Sequence, residues 1–211
     1  MEARARRQGW QRVAGCDEAG RGSLLGPLFA AAVILDPEKP IRGVDDSKKL
    51  TPAQRLELDV EIRGKALAFQ VVAVSAAEVD AINVYEASRQ AMLRALAGLE
   101  PPPDYVLTDA MPLRARGRSA EFAIPHRAII HGDARSVSIA AASILAKVAR
   151  DACLEELARV YPQYHLASNK GYGTAEHLEA LARFGPCPEH RKTFQPVKDY
   201  VLPLFPFAPA V

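Results

Sequence analysis

The longest unbroken apolar stretch runs from Leu28 to Leu35 and closes at Asp36-Pro37. Its valine and isoleucine content and its lack of alternation predict a buried strand. Arg12 to Cys16 predicts a shorter strand that ends directly at Asp17, followed by a glycine-rich turn from Gly20 to Gly26. Phe69 to Val74 predicts a third strand. After the polar loop Asp45 to Leu50, Thr51-Pro52-Ala53-Gln54 carries a helix start: a threonine cap, proline at the first helical position and glutamine where a capping box needs it. Gly64 predicts the end of that helix. Ser75-Ala76-Ala77-Glu78 repeats the capping pattern, and a helix is expected from about Val84 to Leu99, stopped by Pro101-Pro102-Pro103. Tyr105 to Thr108 predicts a short strand ending at Asp109. Phe122 to Ile130 contains Pro125, so a strand there is broken or lies at an edge.

The clearest helix is expected from about Ser138 to Arg159, after Asp133. At roughly 100° per residue, Ala141, Ile144, Leu145, Val148 and Ala152 share an arc that predicts a core face. Ser143, Lys147 and Arg150 fall on the opposite stripe, and on residues alone Lys147 and Arg150 read as a solvated face. Thr174 to Phe184 predicts another helix, followed by a proline-rich tail. Three early strands, then alternating helix and strand, predict an α/β protein with a mixed sheet flanked by helices.

Composition narrows this picture only a little. With 211 residues, 49% of them hydrophobic, the chain suits one domain with a sizeable core. A formal net charge of +2 is too small to imply a nucleic-acid partner. Cys16, Cys153 and Cys187 have neither metal-site nor redox spacing, and their odd count argues against a disulfide framework. A reducing, cytoplasmic setting is therefore expected. Met1 to Arg12 is arginine-rich with no apolar core, unlike a signal peptide. No run is long enough for a membrane span, and no internal repeat is visible.

The candidate chemistry is acidic. Asp17-Glu18 and Asp109 each follow a predicted strand, and Asp133 opens a helix after a glycine. Ends of neighbouring strands lie close together, and carboxylates gathered there repel one another unless a cation relieves them. Magnesium prefers such oxygen ligands, and two ions held by shared carboxylates can activate water against a phosphodiester. Taken singly, each has a blander reading: Asp109 as a turn residue, Asp133 as an anion favoured by a helix dipole.

Cys16-Asp17-Glu18-Ala19-Gly20-Arg21-Gly22, then Gly26-Pro27 and an alanine-rich strand, resembles the opening of ribonuclease HII. Asp46-Ser47-Lys48-Lys49-Leu50 is similar to that family's second block. Gly132-Asp133 with Ser138 to Lys147 and Arg150-Asp151 resembles its third, and Lys170-Gly171-Tyr172-Gly173-Thr174 with His177 its fourth. His190-Arg191 and Phe194-Gln195-Pro196-Val197 resemble its C-terminal end, so the likeness spans nearly the whole chain in order.

This resemblance implies a ribonuclease H fold: a mixed five-stranded sheet flanked by helices, as one catalytic domain over 1–211. A small helical C-terminal extension is expected at about 160–211. It implies Asp17, Glu18, Asp109 and Asp133 as ligands of Mg2+ or Mn2+. It implies that Gly20, Arg21 and Gly22 contact the ribose 2′-hydroxyl, the group that separates RNA from DNA. Tyr172 would stack on the deoxyribose beyond the junction, although spacing alone equally allows a half-buried core tyrosine. Ser47, Lys48, Ser143 and Lys147 would be phosphate contacts.

The expected substrates are RNA–DNA hybrids and DNA duplexes containing ribonucleotides. The expected role is removing misincorporated ribonucleotides, with no membrane partner, a monomeric state and contact with a replication clamp left open. His131 stands where the family often has lysine, Ser23-Leu24-Leu25 replaces a proline-containing turn, and Arg114 to Arg118 forms an arginine-rich insert. No extra domain precedes the first strand, which argues against the related ribonuclease HIII. The rival readings are a DNA resolvase of the same fold, which needs no 2′-hydroxyl reader, and a nucleic-acid-binding protein without catalysis.

Overall fold

The computed structural model describes residues 1–114 and 122–201. Its centre is a five-stranded sheet in the order β3-β2-β1-β4-β5. The strands are β1 (Val13–Ala19), β2 (Leu28–Leu35), β3 (Ala66–Val74), β4 (Tyr105–Asp109) and β5 (His126–Ile129). β1, β2 and β3 pair antiparallel in sequence, whereas β4 joins β1 in parallel and β5 continues parallel to β4. The mixed sheet expected from the strand and helix order is therefore present. β5 is an edge strand that begins directly after Pro125, as a residue lacking an amide donor requires.

β2 is apolar without alternation because helices cover both sides of it. Ala30, Ala32 and Ile34 pack with residues of α3 (Ala76–Ile82) and α4 (Val84–Ala97). Ala31 and Val33 pack with α2 (Pro52–Lys65) and α5 (Val137–Val160). α2 starts at the expected capping box: Thr51 Oγ1 accepts from the Gln54 amide, and the Gln54 side chain accepts from the Thr51 amide. α2 continues one residue past Gly64, and β3 starts three residues before Phe69.

Four expectations need correction. β1 does not end at Asp17; it continues through Glu18 and Ala19, and Asp17, Glu18 and Ala19 pair with Ala31, Ala30 and Phe29 of β2 after the β4 pairing has ended at Cys16. Arg150 is not solvated but wholly buried, and Ala152, assigned to the core face, is exposed. From Arg150 onward α5 faces a second set of contacts, from the C-terminal elements, that periodicity does not see. Asp133 does not open α5; the helix starts at Val137 with Ser136 as its cap, and Asp133 lies in the preceding turn. Finally, the arginine-rich start folds as α1 (Glu2–Arg7), an element the sequence did not announce.

After α5 come a 3-10 turn (Pro162–Tyr164), α6 (Leu166–Asn169), α7 (Ala175–Phe184) and α8 (Val197–Val201). Tyr164, Leu166 and Ala180 bury against Leu25 and Leu154, so these elements close over the turn that leaves β1. Of the arginine-rich insert only Arg114 is described, and it is exposed; residues 115–118 and the proline-rich tail, 202–211, lie outside the described residues.

Candidate active site

Gly15 sets the site's depth. A Cβ there would lie 2.0 Å from the Ser138 carbonyl carbon, so only glycine lets α5 close against β1. That contact brings Ser143 of α5 to Asp17, two residues further along β1. Ser143 stands beside the Asp17 carboxylate and favours its charged form, and its Oγ lies 2.8 Å from Ser47 Oγ. Both serines are buried. The loop carrying Ser47 is fixed by Arg55, whose Nη1 donates to the Ser47 carbonyl at 2.9 Å and the Leu50 carbonyl at 2.6 Å.

Asp109 is the last residue of β4, the parallel neighbour of β1. Gly132 donates its amide to Asp109 Oδ1 at 2.7 Å. A Cβ on Gly132 would lie 2.7 Å from Ile139 Cδ1 and 3.0 Å from the Ile129 carbonyl oxygen, so the turn is closely packed there. Asp133 follows and takes its own Oδ1 bond from the Ala134 amide at 2.9 Å. Asp17, Asp109 and Asp133 thus each offer an oxygen within 4.8 Å of the other two. Glu18 lies beside them, with Arg21 Nη1 at 3.6 Å from its Oε1 and a buried Oε2 that has no hydrogen-bond partner among the described residues. Lys48 Nζ stands 3.7 Å from Asp133 Oδ2.

The electrostatics follow from this crowding. Burial first, then the neighbouring Glu18 and Asp109 charges, push the Asp17 carboxyl well above the usual range. Burial raises Glu18 to about 7; Arg21 opposes the rise and Asp109 adds to it. Burial also raises Asp109, with Asp133 adding and the Gly132 amide opposing. Burial works against the charge on Lys48, but Asp133, Asp46, Asp17 and Asp109 outweigh it and raise its pKa. A set of convergent carboxylate oxygens, one of them orphaned, matches the donor set of a hard divalent cation. Such an ion would reverse the self-repulsion that raises these groups.

A cavity of about 430 Å3 opens over the cluster. Its lining brings together Asp17, Glu18, Asp109, Ser47, Lys48, Ser143 and Lys147 with Gly20, Arg21, Gly22 and Tyr172. Asp133 does not line it but completes the carboxylate cluster. Gly20 has φ +87°, in the left-handed region. Gly22 needs no such freedom, and the space where its side chain would stand is open. Arg21 is exposed, with its guanidinium 5.7 Å from the Tyr85 ring centroid. Tyr172 is 41% exposed at the cavity wall. Lys147 is half-buried and paired with Asp151 at 2.6 Å.

Sequence reasoning missed what lies beneath this wall. Arg150 and Arg191 are both fully buried there, and His177 and His190 pack against Tyr164. Arg150 shares a helix stripe with Ser143 and Lys147, and that shared stripe was the signal available for it.

A family model described as Ribonuclease HII matches residues 14–197. The protein named Ribonuclease HII in Solibacter usitatus is 52% identical over 200 residues, covering 95% of this chain and 85% of its relative. The crystal structure of ribonuclease H2 from Pyrococcus horikoshii is similar at TM-score 0.75 and 28% identity, covering 90% of this chain and 97% of that one. The RNase HII of Archaeoglobus fulgidus, solved in complex with PCNA, is similar at TM-score 0.71 and 28% identity over 88% of this chain and 96% of that one.

Proposed function

Since the chain belongs to the ribonuclease HII family of nucleases, we propose that it is an endonuclease for the RNA strand of RNA–DNA hybrids. We propose that it also cuts on the 5′ side of ribonucleotides embedded in duplex DNA, leaving 3′-hydroxyl and 5′-phosphate ends. The observation that carries this reading is that Asp17 and Asp109, two members of the three-aspartate cluster, meet the Gly20–Arg21–Gly22 turn on one cavity.

Asp17, Glu18, Asp109 and Asp133 would hold two divalent cations, Mg2+ or Mn2+, which supply activation of water and stabilisation of the leaving oxygen. The chain's own groups do the rest. The Glu18 amide holds Asp17, and the Gly132 amide holds Asp109, so these carboxylates keep their positions without substrate. Arg21 and the turn's backbone read the sugar, since glycines allow main chain to approach a ribose closely. Lys48 and Lys147 offer charge to phosphates at the cavity wall, and Tyr172 offers a ring for a deoxyribose. Ser47 and Ser143 are buried and bonded to each other, so they act on the phosphate path chiefly by shaping it.

A cleavage assay in Mg2+ or Mn2+ compares a duplex holding one ribonucleotide with the same duplex in DNA alone. Cutting 5′ to the ribonucleotide and sparing of the all-DNA duplex are expected. Equal cutting of both would instead favour a DNA resolvase of this fold. Asp17→Asn is expected to bind the ribonucleotide duplex and to cut it at least about a thousandfold more slowly; wild-type cleavage by that variant sinks the assignment. A replication clamp is a proposed partner, as PCNA is for the A. fulgidus relative. Gel filtration with a purified clamp should shift the chain into a complex.

A further inference from the structure

The dipeptide His190-Arg191 has no part in the chemistry above, yet it touches both segments that line the substrate side of the cavity. Arg191 Nη1 donates to the Arg21 carbonyl at 2.9 Å, and its Nε and Nη2 donate to the Gly26 carbonyl at 3.2 and 3.0 Å. The Arg191 amide bonds the Leu24 carbonyl at 2.8 Å. One guanidinium therefore grips both ends of the 21–26 turn. No carboxylate lies within ion-pair distance of Arg191 or Arg150 among the described residues, although both are wholly buried. Burying an unpaired cation is unfavourable unless its donors are well used; Arg191 uses all of its guanidinium nitrogens on main-chain carbonyls, whereas Arg150 Nη1 has no hydrogen-bond partner among the described residues.

Arg150 supports the neighbouring segment. Its Nη2 donates to the Lys170 carbonyl at 2.9 Å, and its guanidinium lies 5.4 Å from the Tyr172 ring centroid. Its Nε would be 1.9 Å from a Cβ on Gly20. The turn and Tyr172 are thus built onto the same pair of arginines.

His190 reaches Tyr172 by another route. Its Nδ1 accepts from the Cys187 amide at 3.0 Å, so the neutral ring carries its proton on Nε2. That proton is donated to His177 Nε2 at 3.1 Å. His177 in turn carries its proton on Nδ1 and donates it to the Tyr172 carbonyl at 2.9 Å. Only one assignment of protons satisfies all three bonds with both rings neutral.

We propose that His190-Arg191, acting through His177 and alongside Arg150, is a positioning unit that holds the Gly20–Gly22 turn and Tyr172 in register for a ribose-containing duplex. This rests on the function proposed above. None of these residues touches the carboxylates, so the unit governs selectivity of binding and leaves the cation site as it is.

Affinities for the one-ribonucleotide duplex and the all-DNA duplex, measured without divalent cation, give a selectivity ratio for each variant. Mn2+ titration and thermal unfolding accompany each. Arg191→Lys keeps the charge but not the fork, and its ratio is expected to fall about tenfold or more, since small misplacements are expensive in such sites. His177→Leu is expected to lose the ratio likewise, with Mn2+ affinity unchanged. His177→Asn, whose amide can replace Nδ1–H, is expected to restore it. Should Arg191→Lys fail to fold, the two His177 variants decide the matter. A ratio unchanged in His177→Leu, or lost equally in His177→Asn, overturns the proposal. Wild-type protein without ribonucleotide preference or cleavage would fell the functional reading and this one together; wild-type preference retained in the variants fells this one alone.

Discussion

Asp17 is held in place at an electrostatic disadvantage. Its carboxylate is 5% exposed and faces Glu18 and Asp109, so its charge opposes folding when no cation is present. Asp17→Asn removes that repulsion while an amide oxygen can still accept from the Glu18 amide. Without metal, the variant is expected to melt a few degrees above wild type, about what 1 kcal/mol produces in a chain of this size. Addition of Mn2+ should raise the wild-type midpoint by mass action and leave the variant nearly unmoved. Differential scanning calorimetry with chelator and with Mn2+ checks both. Gly20 gives a second test at this scale. Alanine there must adopt φ +87° and meet Arg150 Nε, so Gly20→Ala is expected to lower stability by about 1–3 kcal/mol, read from urea unfolding. The identity of these residues was legible in the sequence, because Asp17-Glu18 and Gly20-Arg21-Gly22 are contiguous. The burial of Arg150 was not, because what covers it comes from residues 170–172 and from Gly20, on separate stretches of chain.

At the scale of elements, α5 carries most of the assembly. It packs on β1 and β2 and presents Ser143 and Lys147 to the cavity. Its first turn is secured from outside: Ser136 Oγ donates to Glu2 Oε1 at 2.5 Å, and the Ser138 amide donates to the same oxygen at 2.9 Å. The carboxylate also meets the positive end of the helix dipole. Burial opposes the charge on Glu2, but the bonds from Ser136 and Ser138 outweigh it and lower its pKa below 4.5. The stabilisation is therefore present above pH 4.5 and lost as pH falls through the lowered folded value. Glu2→Gln is expected to cost about 1–2 kcal/mol at neutral pH, with the difference from wild type shrinking toward acid, as denaturant titrations at several pH values would show. The α5 helix itself was readable from its periodicity. Its capping by α1 was not, since a short arginine-rich segment has no pattern that marks it as the partner of a helix more than a hundred residues away.

For the whole molecule, the acid limb of stability should report on the C-terminal elements. Burial, then the neighbouring His177, lowers His190 to about 4; burial also lowers His177. His190 titrates near 6.5 once unfolded, so the unfolded chain binds more protons between pH 6.5 and 4. The contribution of His190 to stability should be full above pH 6.5 and fall by roughly 3 kcal/mol as pH drops to about 4, against the opposite trend of the raised Asp17, Glu18 and Asp109 carboxyls. His190→Gln should flatten that slope in urea titrations. The strands, the main helices and the carboxylates were set by the sequence alone, because apolar period, capping residues and contiguous blocks are local properties that survive without knowledge of neighbours. Only the tertiary structure decided that β1 runs on through Asp17 and Glu18, since its extension depends on pairing with Ala30 and Ala31. Only it decided, too, that buried arginines and a histidine pair stand behind the Gly20–Gly22 turn. Burial and proton placement are properties of the groups that close around a side chain, and here those groups come from both ends of the chain.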